Sequence, residues 1–186
     1  MTELLGGFAR IVRAQALRKL EPQTALLALL VLILLIVTWL DALDSLRSVS
    51  MNIESIGPPI AMAIFYYLGA AVVFPHQDAD HERLADYYAA RKRFVVGMLL
   101  AASFVDEIIF IGHFKDLLAH RPALFWLWAV PFNLAIDGSL LALFLVRSRR
   151  ANIFMLTAMI LLMVVPYWGN GGIRGMIARH YGYDLG

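Results

Sequence analysis

Four carboxylic acids stand inside or at the edge of long apolar runs: Asp41, Asp106, Glu107 and Asp137. In such surroundings a carboxyl group either holds and passes protons or cations, or hydrogen-bonds polar neighbours and locks helices together. Counted at 1.5 Å per residue, Asp106 and Glu107 lie roughly 18–20 Å from the start of their run, and Asp137 about 21 Å from the start of its own. A carboxylate at that depth in hydrocarbon costs at least ~2.5–3.5 kcal/mol, so it is expected to face a bundle interior or water and to have a partner. No Lys or Arg occurs between Arg93 and Lys115 or between Arg121 and Arg147. The acids must therefore be protonated, paired with a polar neighbour, cation-bound, or reached from the ends by Lys115 or Arg47. Burial without a cationic partner favours the protonated form of a carboxyl group, which is what a proton-handling group needs.

Spacing places these acids on helical faces. Ser103, Asp106, Phe110 and His113 recur at three- and four-residue steps and share a face, with Glu107 one position round. Asn133 and Asp137 are i, i+4 neighbours, and Pro131 before them removes a backbone hydrogen bond and is expected to kink its helix. The pattern outlines a polar seam for protons or cations, open outward toward Asp41, Asp44 and Glu54. The competing reading is a set of hydrogen bonds that only fixes helix packing, worth ~0.6 kcal/mol per contact.

The elements that must position these groups are apolar helices. The 186 residues are 61% hydrophobic and 16% charged, against roughly 45–50% and about 25% in soluble domains. Apolar runs cover 24–43, 56–74, 94–114, 123–146 and 151–168, each close to the ~20 residues a helix needs to cross a bilayer. The stretch 27–37 is apolar on every side, unlike the alternating strands of a membrane β-barrel. The expectation is a single transmembrane domain: an all-α integral membrane bundle of about five crossings. Residues 3–13 predict a short amphipathic interfacial helix within a cytoplasmic segment 1–22. A second short amphipathic helix is expected at 173–180, in an extracytoplasmic tail 169–186.

Eleven of the 16 Lys and Arg fall before the first run and in the second and fourth connections. The positive-inside rule then predicts a cytoplasmic N-terminus and a periplasmic C-terminus. Basic residues used in this way need no nucleic-acid partner, and none is expected. With no Cys in the chain, disulfides and thiolate chemistry are excluded.

The connection 75–93 carries two further patterns. His76, Asp78, Asp80 and His81 are ligand types suited to a divalent metal, although a solvated loop would look the same. Tyr87 and Tyr88 with Arg91, Lys92 and Arg93 fall at headgroup level, where they could meet lipid or dock a partner. His81-Glu82 starts like the zinc-protease motif, but Ala85 stands where its second His must be. No nucleophile elbow, phosphate-binding loop or dinucleotide fingerprint is present. No enzymatic activity is expected, and no cofactor is assigned.

The stretch Val73-Phe74-Pro75, followed by Leu84-Ala85-Asp86-Tyr87-Tyr88-Ala89-Ala90-Arg91-Lys92-Arg93-Phe94 and Gly97, resembles a family of small proteobacterial multi-pass membrane proteins without assigned activity. There a crossing ends in Phe-Pro, and an acidic loop leads to Tyr-Tyr and a basic-aromatic re-entry. The similarity covers about two-thirds of the chain. It implies a bacterial inner-membrane location and no catalytic residue. The N-terminal segment here is too short and too charged for the additional crossing expected in that family.

Two functions are carried forward. One is proton or cation handling through Asp106, Glu107, Asp137, Asn133, His113 and Asp41, in a homo-oligomer. The other is a non-enzymatic membrane subunit or sensor that docks a membrane-protein partner through its cytoplasmic loop.

Overall fold

Pro22 opens the first helix, where its missing amide costs nothing because the first turn has no acceptor for it. In the computed structural model residues 22–46, 53–74 and 84–165 are described, and their regular structure is entirely helical. Helix α1 is Pro22–Leu46, α2 is Ile53–Val73 and α3 is Leu84–His120. Helix α4 is Pro122–Leu145 and α5 is Arg149–Val164. The expected interfacial helix at 3–13 and the tail 169–186 lie outside the described residues.

Each helix departs from its apolar run for a local reason. Helix α2 starts at Ile53, so Pro58 and Pro59 fall inside it and not at its first position. The carbonyls of residues 54 and 55 therefore lack the amides that would bond them four residues on. Helix α3 begins at Leu84, ten residues before the apolar run, because the sequence from Leu84 to Arg93 contains neither Gly nor Pro to stop it. Its axis turns by 51° between Tyr87–Ile109 and Phe114–His120, and Gly112 lies in that break. In α4 the backbone widens into a π-helical turn, Phe125–Ala129, immediately before Pro131. The proline ring would press on the carbonyl of residue 127 in a regular helix, and the wider turn lies where that crowding would occur. The expected distortion at Pro131 thus takes the form of a bulge upstream of it.

The helices pack in chain order, α1 on α2, α2 on α3, α3 on α4 and α4 on α5. A contact between α1 and α5 closes the ring, and α1 also touches α3. Leu27, Leu30, Val31 and Leu34 of α1 fill its centre with Val95, Val96 and Leu99 of α3 and Leu156 and Met159 of α5. Two glycines lie at helix contacts. A Cβ on Gly69 would stand 3.6 Å from the Met98 Cβ, and one on Gly97 would stand 3.8 Å from the Phe144 ring.

The outside of this ring is apolar. Phe154 is 74% exposed, Leu134 67%, and Phe104 and Trp126 nearly as much. Large exposed apolar faces are rare on soluble monomers, whereas lipid tails are as apolar as the side chains they meet. Three helical stretches, Pro22–Trp39, Ile56–Val73 and Pro122–Leu145, are long and apolar enough to cross a membrane, and the bent α3 makes four if it is one span. Helix α5, with 16 residues, reaches roughly 24 Å, short of the ~30 Å hydrocarbon core. Three to four spans among the described residues are compatible with a membrane location.

Candidate functional site

Helices α3 and α4 run side by side, and Glu107 and Asp137 lie where they meet. Ser103 Oγ donates to Asp137 Oδ1 at 2.6 Å. The Glu107 carboxyl faces that of Asp137, close enough for the two to interact, and Asp106 lies close enough to act on Glu107 electrostatically. All four residues are half-buried. Two carboxyl groups hydrogen-bond to each other only through a proton that one of them holds. Asp137 thus accepts from a hydroxyl and faces a second acid with which it could share a proton.

The face that meets α4 is Ser103–Glu107, an i, i+4 step, where spacing alone favoured Ser103–Asp106. Four residues rotate a helix by 400° and three by 300°, so both acids flank the Ser103 direction. Packing against α4 selects the one that reaches Asp137. Gly97 is two turns below on the same helix, where it admits Phe144 of α4.

Asn133 turns elsewhere. Its Nδ2 donates to the Ala129 carbonyl at 2.8 Å, in its own helix and at the end of the π-helical turn. Asp41 lies on α1 and His113 on α3, and both side chains are outside the described set. No family model, curated protein or solved structure matches this chain. The chemistry of the site rests on its own geometry.

That geometry suits exchange of a small cation. A carboxyl pair sharing a proton can release it and rebind it, or take a metal cation in its place, with Ser103 holding the Asp137 orientation throughout. Among the described residues no cluster of three or more His, Cys, Asp or Glu has the geometry of a metal site. The histidine-aspartate group His76, Asp78, Asp80 and His81 lies outside the described residues. At the end of α3 His120 Nδ1 pairs with Asp116 Oδ1 at 3.0 Å, both exposed.

The residues expected at headgroup level divide in two. The Tyr87 hydroxyl sits 3.0 Å from the Val72 carbonyl and 3.2 Å from that of Phe74, and it donates to this pair at the end of α2. Tyr88 and Lys92 are buried, and Lys92 Nζ donates to the Val146 carbonyl and, at 3.1 Å, to Asn152 Oδ1. Arg91 and Arg93 remain exposed. A partner arriving from this side would meet guanidinium groups and not phenols. Asn152 and Gln23 escaped the sequence reading. Their only signal is a polar residue at the start of an apolar run, which is also how an ordinary helix end looks.

Proposed function

We propose that this chain is a small polytopic protein of the bacterial inner membrane that handles protons through Glu107 and Asp137. In this reading five crossings run near 24–43, 56–74, 94–114, 123–146 and 151–168, the last a short span around which the bilayer thins, with the N-terminus cytoplasmic. The observation that carries it is the carboxyl pair between α3 and α4, in stretches of sequence without Lys or Arg. Intramembrane acids of this kind mark ion and proton paths more often than they serve packing alone. Ser103 fixes the acceptor, Glu107 carries the exchangeable proton, and Asp106 supplies the neighbouring charge that makes its release depend on what occupies the site.

The test is proton flux in vesicles containing the purified full chain, with a pH-sensitive dye inside and a potential or pH gradient imposed. Glu107→Gln with Asp137→Asn keeps the hydrogen bonds but not the exchangeable proton, so flux should disappear while the fold persists. Unaltered flux in the double variant removes these residues from the path. No flux from the unmutated chain under any gradient would leave the non-enzymatic subunit reading in its place.

A further inference from the structure

Far from the carboxyl pair, roughly 22 Å along α3 from Glu107 to Lys92, three helices line a half-open cavity of about 420 Å³. Gln23 of α1, Tyr88, Lys92 and Arg93 of α3, and Arg147 and Asn152 from the α4–α5 junction line it. The chain thus brings together residues from three separate segments. Among the described residues no acidic side chain contributes to the wall.

Four of these polar residues are withdrawn from solvent: Asn152 is 3% exposed, and Gln23, Tyr88 and Lys92 are each 5%. Lys92 is a buried cation whose two acceptors, a backbone carbonyl and an amide oxygen, are both neutral. An ammonium has three N–H donors, so one remains beyond these two bonds. Gln23 Nε2 is occupied by the Arg149 carbonyl at 3.4 Å. The Tyr88 hydroxyl is buried with no hydrogen-bond partner among the described residues.

Tyr88 and Lys92, which carry these two shortages, both line the cavity. Among the described residues a buried positive charge lacks a counter-charge, which is costly in a low-dielectric site, and a buried hydroxyl lacks an acceptor, which is costly as well. A single oxyanion would meet both. It would accept from Lys92 and from Tyr88, with Arg93 and Arg147 supplying further positive charge at the mouth. The flanking residues Phe94 and Leu145 are large, apolar and exposed, so the surface beside the cavity suits acyl chains. Basic pockets between helices at the Lys- and Arg-rich end of a bundle are the usual seat of anionic headgroups.

We propose that the cavity lined by Tyr88, Lys92 and Asn152 binds the phosphate group of an anionic phospholipid headgroup. The site does not depend on proton movement at Glu107 and Asp137. It would tie together α1, α3 and the start of α5, which already meet here through the bonds of Gln23 and Lys92.

The experiment is lipid retention by the purified full chain in neutral detergent, read by native mass spectrometry after titration with phosphatidylglycerol or phosphatidylcholine. One phosphatidylglycerol per chain should be held in preference to phosphatidylcholine. Tyr88→Phe, which removes only the hydroxyl, should weaken retention roughly tenfold, and Arg147→Gln should weaken it in the same direction. Competition with inorganic phosphate separates the two sources of the group. If phosphate alone binds and displaces the lipid, the site takes a soluble phosphate, and the phosphate chemistry stands while the lipid source falls. Equal retention of both lipids, or retention unchanged in both Tyr88→Phe and Arg147→Gln, would overturn the proposal. Lys92→Gln is the stronger variant. Should it fail to fold, the two milder substitutions decide the matter.

Discussion

Ser103 on α3 donates its hydroxyl proton to Asp137 on α4 across 2.6 Å, and this bond joins two helices whose sequences share no charge pair. It makes Asp137 the acceptor around which the rest of the polar face is organised. Hydrogen bonds between membrane helices average ~0.6 kcal/mol, with a maximum near 1.7. Ser103→Ala should therefore lower stability by about that amount, and Ser103→Thr should restore most of it. Unfolding of the detergent-solubilised protein by a denaturing detergent reads the difference. A loss above ~3 kcal/mol would mean that the hydroxyl supports the whole carboxyl cluster.

An acid on α4 is tolerable only on the side that faces α3. Asp137 has Ser103 and Glu107 there, whereas Leu134, one turn earlier, is on the exposed side of the helix. Leu134→Asp would present a carboxylate to lipid near the middle of α4, at a cost of roughly 2.5–3.5 kcal/mol. Insertion of α4 in a translocation assay should fall accordingly, while Leu134→Ala inserts nearly as well as the parent. Equal insertion of both variants would show that this face of α4 does not meet lipid.

The glycines of the third and fourth helices should respond in opposite ways. Gly97 lies against Phe144, so Gly97→Leu adds carbon atoms where a ring already sits and should cost about 1–3 kcal/mol through overpacking. Gly138 has nothing within 4 Å of a Cβ. Gly138→Ala should therefore be neutral or stabilising by up to about 1 kcal/mol, by restricting the unfolded chain. Thermal unfolding of the two variants in one detergent distinguishes them.

Two adjacent phenols make a further pair of opposites. Tyr87→Phe removes the bond to the carbonyls at the end of α2 and should lower stability by roughly 0.5–1.5 kcal/mol. Tyr88→Phe removes a buried hydroxyl without a partner among the described residues. In detergent free of lipid and phosphate it should raise stability, by up to the ~1–3 kcal/mol that an unpaired buried group costs. A loss on Tyr88→Phe under those conditions would show that the hydroxyl has a protein partner.

Helix type and approximate extent were legible residue by residue. The run from Thr24 to Leu43 is apolar on all sides, and a backbone in such surroundings bonds to itself most simply as a helix. The boundaries were less legible where a polar segment is itself helical. Leu84–Arg93 has no breaker and continues into the apolar run, so α3 starts well before its hydrophobic part. At Pro131 the sequence announces a missing amide, but the backbone's response, a π-helical turn, depends on how Phe125 and Leu124 pack beside α3.

The chain's own order of residues determined that Asp106, Glu107 and Asp137 stand in apolar helices with no basic residue beside them in sequence, because depth along a helix follows from counting. Which acids meet was a tertiary decision. Glu107 and Asp106 differ by one position and flank the same direction, and only the rotation of α3 against α4 brings Glu107 to Asp137. The cavity around Lys92 is the fuller case. Gln23, Lys92 and Asn152 are separated by about sixty residues or more in sequence, and no spacing rule links them. Periodicity encodes which face of a single helix is polar. The contact between faces of different helices is set by side-chain shape, by where Gly69 and Gly97 let backbones approach, and by the closure of α5 onto α1.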